Sequence, residues 1–388
     1  MGLRDLFKAT TTPVAIDFGS ASATLLQLSL GESPEVVASH ELIIPEDARS
    51  SQESRLEFFA GTLPEAIKRE GFIGRRVICS PPSSQFTVQQ VHVQPDSPVS
   101  VDEHIRAELS SRLGRPSDSI VARSFEMPSS GGPGNERLCL AISREDVMQH
   151  VDLCKEFKMD VVGVHADHTA ILNAFAHLNR RVGDETFVTM YVDIGWNSVN
   201  VVLGQGQQLV LARIVQVGGR HIDLAAAEAW GISPEEARTR RWREEPSTVV
   251  GAPSLVGVNA GFGSVSCIGD ERRGEGMAAS LGGVVEDSQS IEAVREIHET
   301  IAEELSMCAR FAQAAVSGNT IHRLVLLGGE SRSGSLAAHL SRAVGVEATV
   351  GDPIKRFESG ESFSECEDVP CRPQWAVACG LCCSPLEL

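Results

Sequence analysis

No run of about 18 consecutive apolar residues occurs in this 388-residue sequence, so the sequence predicts no transmembrane helix. Residues 1–8 also lack the apolar core of a secretory signal peptide. Basic residues are scarce, 34 against 52 acidic ones, which gives a formal net charge of −18. Because an acidic surface repels nucleic acid and anionic lipid, we expect no nucleic-acid partner and no direct membrane insertion.

A second cysteine pair is also missing. The ten cysteines include a CxxC spacing at Cys379 and Cys382, with neither a second pair nor a histidine partner beside it. A zinc or redox site usually requires such partners. Cys79 and Cys139 stand in apolar segments, where a free cysteine acts as a small buried hydrophobic residue. The sequence therefore predicts reduced cysteines in a cytoplasmic protein.

The sequence does contain the same strand–turn–strand pattern twice. A short apolar strand reaches Asp17, and the turn at residues 19–22 leads into two more strands. A second apolar strand reaches Asp193, and the turn at residues 195–198 again leads into two strands. The chain is longer than a single compact core usually accommodates. A pattern that occurs twice along a chain indicates two structural units of the same kind. We therefore predict an α/β protein built from two duplicated lobes.

Composition and pattern divide the chain into five segments. Residues 246–286 are rich in glycine and lack periodicity, so we expect an irregular insertion there, followed by a long helix that begins near Asp287 or Ser288. The predicted segments are a first lobe core (1–82), an inserted subdomain (83–160), a second lobe core (161–220), a second-lobe insertion (221–318) and the remainder of the second lobe with a closing helix (319–388).

The repeated turns are suited to bind phosphate. A tight turn directs several backbone N–H groups into one hollow, glycine permits close approach, and serine hydroxyls add donors. Asp17 and Asp193 stand directly before these turns, and two such carboxylates facing each other across a cleft would hold hydrated Mg²⁺. A third element, residues 326–331, places paired glycines between a buried strand and a helix. The competing interpretation is that both aspartates only cap their turns.

These motifs resemble those of the actin, sugar kinase and heat-shock chaperone superfamily. Residues 14–22 are similar to its first phosphate motif, residues 193–198 to its second, and residues 327–330 to its adenosine motif. Within the superfamily, the order and spacing of the motifs most resemble the PilM family of type IV pilus assembly proteins, which is related to the division protein FtsA. The PilM resemblance extends to residues 1–7, 218–222, 231–237 with Arg241, and 375–381.

The resemblance implies an actin-like ATPase fold, with a mixed five-stranded sheet flanked by helices in each lobe and small inserted subdomains. It also implies that the site binds ATP and Mg²⁺, with Asp167 near the metal or the attacking water and with Asp17 and Asp193 as metal-associated carboxylates. The residues expected to bind the cofactor are Asp17, Gly19, Ser20, Ser22, Asp193, Gly195, Asn197, Ser198, Arg241, Gly328, Gly329 and Glu330.

Three positions depart from the family pattern. Thr24 stands where PilM proteins usually have a lysine, which removes a charge that would face phosphate. Trp196 is bulky for a phosphate loop, and Arg238 replaces an acidic residue that commonly faces the ribose. These departures predict weak nucleotide binding and, if any hydrolysis occurs, a weak or vestigial ATPase.

The function implied by the resemblance is that of a scaffold at the cytoplasmic face of the inner membrane. Such a protein binds the N-terminal cytoplasmic tail of PilN, a single-pass membrane protein, in a groove between the first lobe and the inserted subdomain. The family relationship also allows self-association and extends to a type II secretion component. Two alternatives stay open, an active phosphotransferase of the sugar kinase branch and an FtsA-like filament protein of cell division.

Overall fold

A computed structural model describes residues 10–93, 99–127, 135–179, 183–244, 281–316, 320–357 and 372–384. The strands within these ranges are β1 (Val14–Phe18), β2 (Ser22–Leu28), β3 (Val36–Ile43), β4 (Arg76–Ser80), β5 (Thr87–His92), β6 (Ile120–Glu126), β7 (Glu136–Ser143), β8 (Asp160–Val164), β9 (Val188–Ile194), β10 (Val199–Gln205), β11 (Gln208–Val215), β12 (Arg323–Leu327) and β13 (Ala348–Val350). The α-helices are α1 (Gln52–Arg69), α2 (Val101–Leu113), α3 (Arg144–Glu156), α4 (Asp167–Ala174), α5 (Gly219–Trp230), α6 (Pro234–Glu244), α7 (Leu281–Ala315), α8 (Gly334–Val344) and α9 (Ala376–Cys382).

Two five-stranded sheets share one topology. The strand order is β3-β2-β1-β4-β8 in the first sheet and β11-β10-β9-β12-β13 in the second. In each sheet an antiparallel three-stranded meander continues into two parallel strands. The predicted fold of two duplicated lobes with mixed sheets is therefore confirmed.

Helices cover the first sheet because their apolar residues recur on one face. Helix α1 begins after Ser51, whose hydroxyl accepts a hydrogen bond from the backbone N–H of Ser54, and it buries Phe59 and Leu63. These side chains share a core with Leu153 of α3 and with the apolar residues of β1. Burial on both sides explains why the central strands are almost continuously apolar.

Helices α4 and α9 pack between the two sheets and join the lobes into one core. Gly380 of α9 lies so close to α4 that a Cβ at this position would be 1.7 Å from the carbonyl oxygen of Ala170. Only glycine fits at such a crossing. The contact fixes the two helices, and with them the two lobes, on either side of the cleft.

The inserted subdomain is a three-stranded antiparallel sheet, β5-β7-β6, covered by α2. Helix α2 begins with a capping box between Ser100 and Glu103. Beyond this sheet, α3 packs in the first lobe's core and β8 pairs with β4 of the first sheet. The predicted bounds of the inserted subdomain, 83–160, stay a prediction.

The second lobe differs from the prediction at one element. Helix α7 begins at Leu281, within the segment that we expected to be irregular, while residues 246–280 of that segment lie outside the described residues. Ile301, Leu305 and Cys308 of α7 pack against the second sheet. This part of α7 therefore packs in the core of the second lobe, and the predicted bounds of the second-lobe insertion, 221–318, stay a prediction. In the described part of the chain, no helix has the length and apolar character needed to cross a bilayer.

Candidate functional site

Both predicted turns are tight hairpins, and in each the glycine packs closely against a backbone carbonyl group of the same turn. A Cβ on Gly19 would lie 2.5 Å from the carbonyl oxygen of Ser22. In the second hairpin, the N–H of Gly195 donates to the carbonyl oxygen of Ser198 at 3.0 Å, and a Cβ on Gly195 would lie 3.1 Å from the same oxygen. A larger residue would open either turn, so glycine keeps the backbone accessible to a ligand.

The two hairpins face each other across a cleft of about 350 Å³ between the lobes. The segment that follows β12 completes its wall. Of the thirteen residues predicted from the sequence, the structure places twelve in this lining: Asp17, Gly19, Ser20, Ser22, Asp167, Asp193, Gly195, Asn197, Ser198, Gly328, Gly329 and Glu330. Their individual contacts with a ligand stay predictions.

Three carboxylates converge in the cleft. Burial raises the pKa of Asp17 well above its usual range, and the charges of Asp193 and Asp167 raise it further. Burial also raises the pKa of Asp193 to about 7, with a further contribution from Asp167. Carboxylates that influence one another in this way lie close together, and protons or a cation must offset their repulsion.

Asn200 links two of these carboxylates and was missed by sequence reasoning. Its Nδ2 donates to Asp167 Oδ2 at 2.9 Å and to Asp193 Oδ2 at 3.4 Å, while its buried Oδ1 has no partner in the described residues. Asn200 is the cross-strand neighbour of Asp193, just as Thr24 is the neighbour of Asp17. The duplicated register could have revealed it. Its unpaired oxygen is free to accept a hydrogen bond from a ligand or a metal-bound water.

Arg241, the thirteenth predicted residue, lies behind the cleft wall. Its Nε donates to Asp223 Oδ1 at 3.0 Å, and its Nη2 lies 3.3 Å from Glu330 Oε2. Arg241 is only 8% exposed, and both carboxylates are also buried. The structure thus places Arg241 outside the cleft lining, paired with two buried carboxylates. Its predicted position near the nucleoside stays a prediction.

Gly328 brings the third predicted motif against the second hairpin. It has φ +80°, and a Cβ there would lie 2.6 Å from Asp193 Oδ1 and 2.4 Å from the carbonyl oxygen of Ile194. Both the conformation and the close approach require glycine. The backbone after β12 therefore comes within contact distance of a cleft carboxylate.

The second hairpin also touches the first lobe at two points. The guanidinium groups of Arg49 and Arg220 lie over the ring of Trp196, at 5.2 and 5.7 Å from its centroid, and Arg49 belongs to the first lobe. In addition, the hydroxyl oxygens of Ser198 and Ser83 are 3.1 Å apart. Trp196, which is bulky for a phosphate loop, thus forms a cation–π contact between the lobes.

A magnesium ion would fit this cleft only with help from water and ligand oxygen atoms. Among the residues that the structure describes, no three or more His, Cys, Asp or Glu side chains are arranged to hold a metal by themselves. Mg²⁺ commonly keeps several waters and binds one or two carboxylates together with substrate phosphates. The carboxylates of Asp17 and Asp193 and the free oxygen of Asn200 match that requirement.

Comparison of this chain with known proteins relates it to one protein family. The family model described as type IV pilus assembly protein PilM matches residues 15–248. Among solved structures, the PilM–PilN type IV pilus biogenesis complex is 18% identical with a TM-score of 0.70, over 97% of this chain and 100% of that chain. The ethanolamine utilization protein EutJ from Carboxydothermus hydrogenoformans is 12% identical with a TM-score of 0.51, over 98% of this chain and 93% of that chain. No curated protein matches.

Proposed function

This chain belongs to the PilM family of type IV pilus assembly proteins, and from that premise we propose that it is an actin-like, nucleotide-binding scaffold. It serves the inner-membrane assembly platform of type IV pili or of a related type II secretion machine. The proposal places it in the cytoplasm, held at the membrane by a partner. The family match over more than half of the chain and the shared fold support this role.

The observation that carries nucleotide binding is the meeting of two duplicated hairpins across one cleft. Their backbone N–H groups and the hydroxyls of Ser20, Ser22 and Ser198 supply phosphate donors, and the cleft contains the carboxylates that a Mg²⁺–ATP complex requires. Bound Mg²⁺ would neutralise charge on the carboxylates and the phosphates. The backbone at Gly328 and Gly329 would lie along the nucleoside, with Glu330 beside the ribose.

Asp167 is the residue best placed to orient a water molecule if ATP is hydrolysed. Its Oδ2 accepts from Asn200 at 2.9 Å, and its Oδ1 lies 2.8 Å from Nδ1 of His168. Asp167 is 4% exposed, so its position is fixed by packing as well as by hydrogen bonds. A carboxylate held in a fixed position can accept a hydrogen bond from a water molecule and orient it. Hydrolysis would also require a nucleotide phosphate bound within reach of that water.

The proposed partner is the N-terminal cytoplasmic tail of a PilN-like single-pass membrane protein. The similar solved complex contains PilM and PilN, and the present chain matches the full length of the chain compared. A short extended peptide needs only a groove with backbone pairing and a few apolar pockets. The protein therefore reaches the membrane through its partner.

Nucleotide binding is tested by titrating a fluorescent ATP analogue with Mg²⁺ into the wild-type protein, Asp17→Ala and the control Asp160→Ala. Asp160 is an exposed aspartate at the start of β8. We expect saturable binding by the wild type and the control, and at least about tenfold weaker binding by Asp17→Ala, because a charge-assisted contact is worth about 1.5–3 kcal/mol. Equal binding by all three proteins, or none by the wild type, contradicts the proposal.

Partner binding is tested separately with immobilised peptides. Each peptide carries the cytoplasmic tail of a single-pass membrane protein encoded beside this chain, and a scrambled version of the same composition is the control. Retention by one native tail and not by its scrambled version is the expected result. Failure with every native tail removes the scaffold part of the proposal and leaves nucleotide binding to be judged on its own.

A further inference from the structure

Ser83 occupies a junction between the cleft and the inserted subdomain. It begins a short 3₁₀-helix, Ser83–Gln85, which lies between β4 of the first lobe and β5 of the inserted subdomain. Its side chain lines the cleft, and its Oγ is 3.1 Å from Oγ of Ser198 on the opposite lobe. One residue thus stands in the wall of the cleft and at the entry to another subdomain.

The serine pair is suited to bind an anion. When two hydroxyl groups are hydrogen-bonded to each other, only one proton is used between them, and the second proton can be donated elsewhere. An oxygen atom of a phosphate placed between the two hydroxyls would accept from both, and such charge-assisted bonds are stronger than the bond between neutral hydroxyls. The Ser83–Ser198 pair therefore marks a position for a ligand oxygen.

The chain around Ser83 can transmit a displacement towards the inserted subdomain. On one side, Pro81 and Pro82 are buried and restrict the backbone that leaves β4. On the other side, the N–H of Phe86 donates to the carbonyl oxygen of Ser83 at 3.0 Å, and β5 begins at the next residue. The backbone therefore connects Ser83 directly to the start of β5, so a shift of Ser83 would displace this end of the strand.

We propose that Ser83 binds a nucleotide phosphate together with Ser198 and thereby couples occupancy of the cleft to the inserted subdomain. The inference rests on the proposed nucleotide-binding function and adds a ligand-contacting residue from outside the two phosphate hairpins. When a phosphate separates the two hydroxyls, Ser83 moves relative to Ser198, and the strand that follows it moves as well. A partner bound near the inserted subdomain would sense this change.

The test compares Ser83→Ala with Ser84→Ala. Ser84 lies in the same 3₁₀-helix, is exposed and does not line the cleft, so it controls for the loss of a hydroxyl in this turn. Two quantities are measured in each full-length protein, the Kd for a fluorescent ATP analogue with Mg²⁺ and the amide hydrogen exchange of β5 and β7 with and without the nucleotide. Circular dichroism checks that both variants remain folded.

We expect the nucleotide to change the exchange of β5 and β7 in the wild type and in Ser84→Ala. Ser83→Ala should bind about tenfold more weakly, as expected for the loss of one charge-assisted hydrogen bond, and at saturation it should no longer change that exchange. A Ser83→Ala protein that matches the wild type in both measurements overturns the inference, as does a wild type that binds nucleotide without any change in β5 and β7. A wild type that binds no nucleotide overturns the proposed function as well.

Discussion

The carboxylate at position 193 should make the empty protein less stable while making ligand binding possible. Burial and the charge of Asp167 raise the pKa of Asp193 from 3.8 to about 7. Between these pH values the native state keeps a proton that the unfolded state releases, so the free energy of unfolding falls as the pH rises through this window. Above pH 7 the free energy of unfolding is lower by at most about 4 kcal/mol, because one pKa unit corresponds to about 1.4 kcal/mol.

Asp193→Asn keeps the shape of the side chain and removes its charge. Since Asp17 competes for the same proton, we expect about half of that ceiling, a gain of about 2 kcal/mol at pH 8. For a chain of 388 residues this gain corresponds to an increase in Tm of about 2–3 °C. Thermal unfolding without nucleotide, measured from pH 5 to pH 8, should show a flatter pH dependence in the variant. The same variant should bind Mg²⁺–ATP more weakly than the wild type.

The matched control is Asp160→Asn, an exposed aspartate in β8, whose Tm should follow that of the wild type at every pH. An Asp193→Asn protein that is no more stable than the wild type at pH 8, or that keeps the wild-type pH dependence, would refute the electrostatic reasoning. The opposite signs expected in the two assays separate this mechanism from general damage to the fold, which would lower both stability and binding.

Two further substitutions test other parts of the site. Trp196→Ala removes the contact with Arg49 of the other lobe, so small-angle scattering should show a larger radius of gyration. The control Trp230→Ala removes a cation–π contact with Arg240 that lies within one lobe, so its radius of gyration should match that of the wild type. Equal radii for all three proteins would contradict the role of Trp196. Arg241→Met leaves two buried carboxylates without their cation. Denaturant unfolding at pH 8 should therefore show a free energy of unfolding about 3–5 kcal/mol lower than that of the wild type. A decrease of less than about 1 kcal/mol would show that the ion pairs contribute little to stability.

The sequence predicted the elements with strong periodicity and the turns with special residues. As predicted, the strand that reaches Asp17 and the strand that reaches Asp193 are each followed by a turn and two further strands, β2–β3 and β10–β11. The cleft could be anticipated because a duplicated Asp-x-Gly turn implies that two equivalent hairpins exist, and the fold brings them together. Sequence periodicity reflects interactions between residues that are close along the chain. Individual strands, helices and turns were therefore the most predictable features of the fold.

Contacts between distant segments were less predictable. Sequence order put α3 in the inserted subdomain and residues 161–164 of β8 in the second lobe core, whereas β8 pairs with β4 of the first sheet. The predicted place of Arg241 near a nucleoside stays a prediction, but its contact with Asp223, eighteen residues before it, was not predicted. In both cases a partner far along the chain decides the position, and no local pattern identifies that partner.

The hydrogen bonds and pKa values of the paired aspartates bear on the two interpretations of these residues. A capping aspartate accepts a backbone N–H of its own turn, which stabilises its ionised form. Within the described residues, Asp167 accepts such a bond from His168, whereas neither Asp17 nor Asp193 accepts any backbone N–H. Both of these aspartates instead have raised pKa values because they are buried near other carboxylates. Apolar side chains here would cost the fold less free energy. In the proposed function, a bound Mg²⁺–nucleotide would offset this cost.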